Sequence, residues 1–393
     1  LFTVLPKISI LDPACGSGAF LVAAMKTLLD IYAAIYGKIR FLNDTNLITH
    51  LKEIDKDHPD AKINYYIRKR IITDNLYGVD IMEEAAEIAK LRLFLVLVSS
   101  AKEVEDLEPL PNIDFNIMTG NSLIGLLTVD EKRFNNAQQN DAGERQLEMF
   151  SGGNAKDYKR VLADKNRLVN QYRNTSSLTD NLQSLRSQID AHKAEAYEIL
   201  DEILLDDFQT LGIQFQQAKI KGKAKKRPLE ISDMETLDPF HWGYEFDEIL
   251  NTRNGFDVII TNPPWEIFKP QAKEFFAEYS DVVTKNKMTI NQFEKQKDNL
   301  LKDDEVKAAW LDYLSRFPHV NDYYRSTSQY ENQIVVVNNK RVGTDINLYK
   351  LFTEQCFNLI RSGGQCGIVI PSGIYTDIGS KQLREMLFME TKI

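Results

Sequence analysis

The chain has 393 residues, 43% of them hydrophobic and 27% charged, the composition of an ordinary globular protein with room for one large or two medium domains. Its net charge of -9 excludes a surface that grips polyanions all over. Its three cysteines, Cys15, Cys356 and Cys366, exclude a disulfide framework or a zinc cluster. No uninterrupted apolar run reaches the roughly 20 residues of a membrane span and no signal peptide opens the chain, so a cytoplasmic protein is expected.

In chain order, the first strand candidate is "ISILDPA", Ile8 to Ala14. It runs into the small residues Ala14, Cys15, Gly16, Ser17 and Gly18, and then into a helical pattern at about 17 to 37. Glycines let a backbone approach a ligand closely, and the start of a helix offers N–H groups to an anionic one. Next comes "LYGVD", Leu76 to Asp80, which puts a carboxylate at a strand end where two vicinal ribose hydroxyls could donate to it. The plainer reading of Asp80 is a cap on the helix at about 82 to 100. Asp80 lies 62 residues beyond Gly18, and the turn has no third glycine, which disfavours a nicotinamide-dinucleotide site. The third strand, "IDFNIM" (Ile113 to Met118), leads into "MTGNSLIG". There Asn121 could pair with an adenine edge or simply shape a turn.

From about 128 to 250 the rhythm breaks into polar sequence with long helical periodicity near 155 to 172 and 179 to 205. It reads as a helical hairpin inserted between the third and fourth strands. Within it "KIKGKAKKR", Lys219 to Arg227, is the densest basic run and is expected as a solvated loop, with contact to a DNA backbone as the alternative.

The fourth strand, "FDVIIT" (Phe256 to Thr261), ends in "NPPW". Neither Pro263 nor Pro264 can donate to a sheet ladder, so the backbone turns stiffly just past a strand's carboxyl end, where open α/β sheets bind ligands. A second insertion, about 270 to 343, mixes aromatics with charges and is expected to close over the site. A helix at about 345 to 361 and a strand "QCGIVIP", Gln365 to Pro371, complete the pattern. Strand, helix, strand in repetition predicts an α/β fold with a doubly wound, mostly parallel Rossmann-like sheet. The expected division is 1–127, 128–250 and 251–393.

"DPACGSGAFL", "YGVDI", "GNSL" and "NPPW", in this order and each at a strand end, resemble the motifs of S-adenosylmethionine-dependent amino-methyltransferases of DNA. The likeness is to the adenine-specific branch of restriction-modification enzymes, including large fused restriction-methylation polypeptides. "INLYKLFTEQCFNLI" and "GGQCGIVIPSGIYTDIGSKQLREML" resemble the later motifs of the same family, and the likeness covers about 8 to 128 and 240 to 393. It implies S-adenosylmethionine as cofactor, held by Asp12, Pro13, Ala14, Cys15, Gly16, Ser17, Gly18, Asp80, Ile81, Asn121 and Ser122. It implies catalysis at Asn262, Pro263, Pro264 and Trp265, no metal, and double-stranded DNA as partner.

An exocyclic amino group on adenine is a poor nucleophile because its lone pair is delocalised into the ring. The side-chain oxygen of Asn262 and the carbonyl of Pro263 are expected to accept its N–H bonds, Pro264 to fix their spacing, and Trp265 to stack on an extruded base. The family's segment upstream of the first motif, which bears an aromatic residue and a Thr-Pro, does not appear in the eleven residues before Asp12. The chain is therefore expected to be part of a longer polypeptide that carries specificity or nuclease parts. The alternatives are methylation of RNA or of protein glutamine, or a catalytically incomplete DNA-binding subunit.

Overall fold

The computed structural model describes residues 4–42, 49, 60–101, 111–141, 157–175, 181–280, 289–337, 340–342 and 344–393. Five short strands form an all-parallel sheet: β1 (Ile10–Asp12), β2 (Leu76–Asp80), β3 (Ile117–Thr119), β6 (Phe256–Thr261) and β9 (Ile360–Ile368). Among the described residues two antiparallel pairs complete the strands, β4 (Phe215–Gln217) with β5 (Lys225–Arg227), and β7 (Val335–Val337) with β8 (Lys340–Val342). The parallel sheet is ordered β3-β2-β1-β6-β9. The chain thus winds outward from β1 through β2 and β3, then returns to β1's other side with β6. The switch point of this α/β sheet lies between β1 and β6.

The central strands β1 and β2 are buried on both faces, as strands sandwiched by helices must be, while the edge strand β9 is largely exposed. One layer is built by α1 (Ala19–Leu42), α2 (Asp60–Arg70) and α3 (Glu83–Val98), whose Leu21, Met25, Leu28, Ala86, Ala89 and Leu93 are buried with Ile10, Leu76 and Ile117. Residues 19–39 within α1 are long and apolar enough to cross a membrane by length and composition, but Leu21, Met25 and Leu28 bury one side of the helix against the sheet. The opposite face is covered by Phe240, Trp242, Phe246 and Ile249, packed on Leu11, Val79, Phe256 and Ile259.

Helix α4 (Glu131–Asp141) precedes α5 (Tyr158–Asn174) and α6 (Asn181–Thr210), which supply the two long periodic stretches expected in the middle of the chain. His241, fully buried, fastens α6 to the segment under the sheet. Its Nδ1 accepts from Leu126 N–H, so its Nε2–H donates to Asp201 (2.9 Å). Asp257, in β6, fixes the register of β6 against β1 and β9 by accepting from Ser9 N–H (2.8 Å), Ser9 Oγ–H (3.0 Å) and Arg361 Nε–H (2.6 Å). Burial alone would raise its pKa, but these donors hold the carboxyl below the usual range.

Three details depart from the sequence reading, the first being that the last sheet strand is Ile360–Ile368 rather than Gln365 to Pro371, because its pairing with β6 starts at Phe256 opposite Ile360. The third strand begins at Ile117 rather than Ile113, because residues 114–116 form a turn whose Asn116 Nδ2 donates to the carbonyls of Thr73 and Leu76. The basic run is not a loop throughout, since its last three residues are β5, paired with β4.

The chain divides into two compact units: residues 1–204, 234–264 and 355–370 form the first, and 205–233, 265–354 and 371–393 the second. The parallel sheet belongs to the first. The second has its own core, where α7 (Ala272–Ala277), α8 (Ile290–Leu300) and α9 (Asp304–Ser315) bury Phe276, Phe293, Val306 and Trp310 together. It also contains α10 (Phe317–Ser326) and α12 (Lys381–Glu390), while α11 (Leu348–Leu359) passes from the second unit into the first.

Candidate active site

The carboxyl ends of β1, β2 and β3 converge within the first unit. Asp12 ends β1 and is 1% exposed; its carboxylate accepts from Ala14 N–H (3.2 Å), which turns the chain sharply. Burial, with a smaller contribution from the nearby Asp80 charge, pushes the Asp12 pKa up to about 7. The buried Thr261 hydroxyl at the end of β6 faces that carboxyl and opposes the shift, although Thr261 Oγ1 completes no hydrogen bond among the described residues. Cys15 is buried, its N–H bonded to Val79 O (3.0 Å), and burial drives its thiol pKa far up, so it is an inert packing group.

Gly16 and Gly18 both adopt positive φ, at +50° and +78°, but for different reasons. A Cβ on Gly18 would lie 2.9 Å from Ala89 Cβ, so this glycine lets the turn rest against α3. A Cβ on Gly16 would meet nothing within 4 Å, and the space beside it is open.

Asp80 binds the turn directly. Its Oδ2 accepts from Gly16 N–H (2.8 Å) and its Oδ1 from Met82 N–H (3.0 Å). The N-cap of α3 is Met82, so Asp80 stands two residues outside it and ties β1's loop to β2's rather than capping the helix. Ile81 follows, 61% exposed.

Asn121 is fixed on both sides of its amide, with Oδ1 accepting from Leu123 N–H (3.1 Å) and Nδ2 donating to Leu237 O (3.2 Å). Ser122 is buried and its Oγ–H donates to Pro13 O (2.6 Å), locking the β3 loop to the β1 loop. Its own carbonyl accepts from Trp242 Nε1–H (3.0 Å) and Gln355 Nε2–H (2.9 Å).

On the other side of the switch point, β6 leads into Asn262, Pro263 and Pro264. Asn262 is exposed, and its side chain has no hydrogen-bond partner among the described residues; Pro263 is buried and Pro264 exposed. Val369 N–H donates to Thr261 O (3.0 Å), so the strand is held up to its last residue. Trp265, 51% exposed, opens the second unit's segment. There the chain is pinned again by antiparallel pairing, with Leu348 N–H to Glu266 O (2.9 Å) and Phe268 N–H to Ile346 O (2.8 Å).

The structure thus joins Gly16 to Asp80 and Pro13 to Ser122 by direct bonds, with Asp12 at the start of the same turn. Thr261, Trp242 and Gln355 were missed from sequence. The signal for Trp242 was present: "DPFHWGYEF" is a dense aromatic run at the close of an otherwise polar stretch.

A parallel sheet with helices on both faces, and loops converging at its switch point, defines an α/β Rossmann-like methyltransferase fold. Residues 74–307 match the Eco57I restriction-modification methylase model, and the chain belongs to that family. It is 32% identical over 298 residues to a putative type II restriction enzyme and methyltransferase of Methanocaldococcus jannaschii, a match covering 69% of this chain and 23% of that protein. It is 30% identical over 116 residues to the type II restriction enzyme and methyltransferase RM.Eco57I of Escherichia coli, covering 29% of this chain and 11% of that one. The matched region spans less than a quarter of either relative.

Proposed function

We propose that this chain transfers a methyl group from S-adenosylmethionine to the exocyclic amino group of adenine in a base extruded from duplex DNA, within a restriction-modification enzyme. The observation that carries the reading is Asn262: an exposed amide without a side-chain partner among the described residues, set by a buried proline at the switch point beside β1. The names of both relatives, which include restriction and methyltransferase functions, support it.

The residues fit the cofactor. The open space beside Gly16 admits a ligand against the backbone. Asp80 uses one lone pair of each oxygen on the protein and keeps others for two ribose hydroxyls, with exposed Ile81 as an apolar surface beside them. Asn121 retains one N–H and one lone pair for an adenine edge. Ser122 acts on the cofactor loop through Pro13. When bound, S-adenosylmethionine supplies an electrophilic methyl group on a sulfonium centre.

Asn262 Oδ1 and the Pro263 carbonyl accept the two N–H bonds of the target amino group, drawing its nitrogen toward tetrahedral geometry and stabilising the positive charge that develops there. Neither proline has an N–H to compete for these acceptors, and Pro264 fixes the turn. Trp265 offers a half-exposed face on which an extruded base stacks, worth roughly 1 to 3 kcal/mol toward the cost of flipping. The proton leaves after transfer, so no strong base is required.

The test is Asn262→Ala, measured by tritium transfer to adenine-containing duplexes alongside equilibrium binding of cofactor and DNA. Loss of one oriented acceptor should cost about 100 to 1000-fold in rate and leave both affinities in place. Near-normal transfer would refute the mechanism, and methyl recovered on cytosine, RNA or protein would refute the substrate.

A further inference from the structure

The run from Lys219 to Arg227 carries six cations in nine residues on a chain whose net charge is -9. In the structure it is the turn and second strand of the β4–β5 hairpin. Gly222, at φ +94°, makes the turn with open space around it. Lys219, Lys221, Lys223, Lys225 and Lys226 are exposed, and none forms an ion pair among the described residues.

Arg227 is used differently. It makes two bonds to Asp233, at 2.6 and 2.8 Å, and lies 4.1 Å over the Phe215 ring. The hairpin is also held at its base, where Ala218 N–H donates to Ser315 Oγ (2.8 Å) and Gln216 Nε2–H reaches Asp322 (3.4 Å). One cation is thus spent on holding the hairpin in place and Lys226 acts on the nearby Asp322 carboxyl, while Lys219, Lys221 and Lys223 are presented at the exposed tip. A solvated charge run needs no such anchor, and an acidic protein gains nothing in solubility from a cluster of opposite sign.

We propose that the β4–β5 hairpin is a contact for the phosphate backbone of duplex DNA, with Lys219, Lys221 and Lys223 at its tip making the contacts. The inference rests on the DNA-methyltransferase reading and gives that partner a surface. Lysine at an exposed turn acts as a point charge toward phosphate, so the contact carries affinity without base specificity. A membrane surface is the weaker fit, because Ile220 is the single large apolar side chain of the tip and surface insertion needs a broader apolar face.

The experiment compares the 393-residue chain with a Lys219→Gln, Lys221→Gln, Lys223→Gln variant, reading duplex affinity by fluorescence anisotropy across a salt series. A second variant, Lys297→Gln, Lys302→Gln, Lys307→Gln, removes the same charge from lysines whose ammonium groups are engaged by Glu294, Asn299 and Asp304. Three lost phosphate contacts should make the salt slope shallower by about 2.7 in the tip variant only. Between 50 and 200 mM salt the parent chain should therefore lose roughly 40-fold more affinity than the tip variant. The loss should be equal for duplexes with and without a methylatable site, and thermal unfolding should not move.

A parent chain that binds DNA with the same slope as the tip variant would overturn the surface alone. A parent chain that binds no DNA would overturn the functional reading with it. Equal slope changes in both variants would reduce the effect to net charge. Loss of binding to phosphatidylserine vesicles with unchanged DNA binding would assign the tip to a membrane instead.

Discussion

Asp12 offers the sharpest test of the site's physical chemistry, because its carboxyl is buried, lacks a cationic partner and has a pKa raised from 3.8 to about 7. In the unfolded chain the same group ionises at the ordinary value. Between these two values the folded protein keeps a proton that the unfolded chain has released. Stability from this group is therefore fully present below pH 4 and is lost as pH rises through about 7. At about 1.4 kcal/mol per pH unit the whole effect is roughly 4 kcal/mol, a large part of the stability of a typical domain. Asp12→Asn removes the titration while keeping an acceptor for Ala14 N–H, and its amide N–H can reach the orphaned Thr261 hydroxyl. In urea unfolding followed from pH 5 to 8, the variant should gain on the parent steadily, with the difference levelling off near pH 8. Asp238, Glu354 and Asp322 also have raised pKa values, chiefly from burial, but they are common to both proteins and cancel in the comparison. Parallel stability profiles for the two proteins would refute the claim that Asp12 titrates in this range.

Asp80→Ala should weaken S-adenosylmethionine binding in calorimetric titration and also lower stability by about 1 to 3 kcal/mol, because Gly16 N–H and Met82 N–H both lose a charged acceptor. Unchanged affinity with lowered stability would leave Asp80 a purely structural role. Gly16→Ala should cost only about 1 kcal/mol for its left-handed backbone yet reduce cofactor affinity, read by thermal unfolding and titration together. Gly18→Ala should cost more stability, since its Cβ would press within 2.9 Å of α3; equal losses for the two would undo the distinction drawn between them.

The strands and the residues at their ends were legible because both are local signals. Short β-branched runs stop at Asp12, Asp80 and Thr261, and a stop in an apolar run marks a strand's carboxyl end. What could not be read was the set of partners that these residues find across the fold. The Thr261 hydroxyl matters because β6 lies beside β1, a neighbour 249 positions away in sequence. Asp80 resembled a helix cap on local grounds, and only the approach of Gly16 across 64 residues shows it holding the β1 loop instead. The basic run resembled a loop because three strand residues that are all Lys or Arg give no apolar alternation, and β5 exists through its pairing with β4.

Gly16 and Gly18 bring out the same limit at its smallest scale. The two are alike in residue type, in turn and in the sign of φ, and the sequence assigns both to close approach of a ligand. One of them is occupied from outside by Ala89, which leaves no room for anything else. The other faces open space next to the Asp80 carboxylate, to which its own N–H is bonded. A glycine that serves packing and a glycine that makes room for a ligand differ only in what lies beyond the missing side chain. In this GxG turn the helix packed behind it decides which position faces open space, and α3 closes Gly18 while leaving Gly16 open.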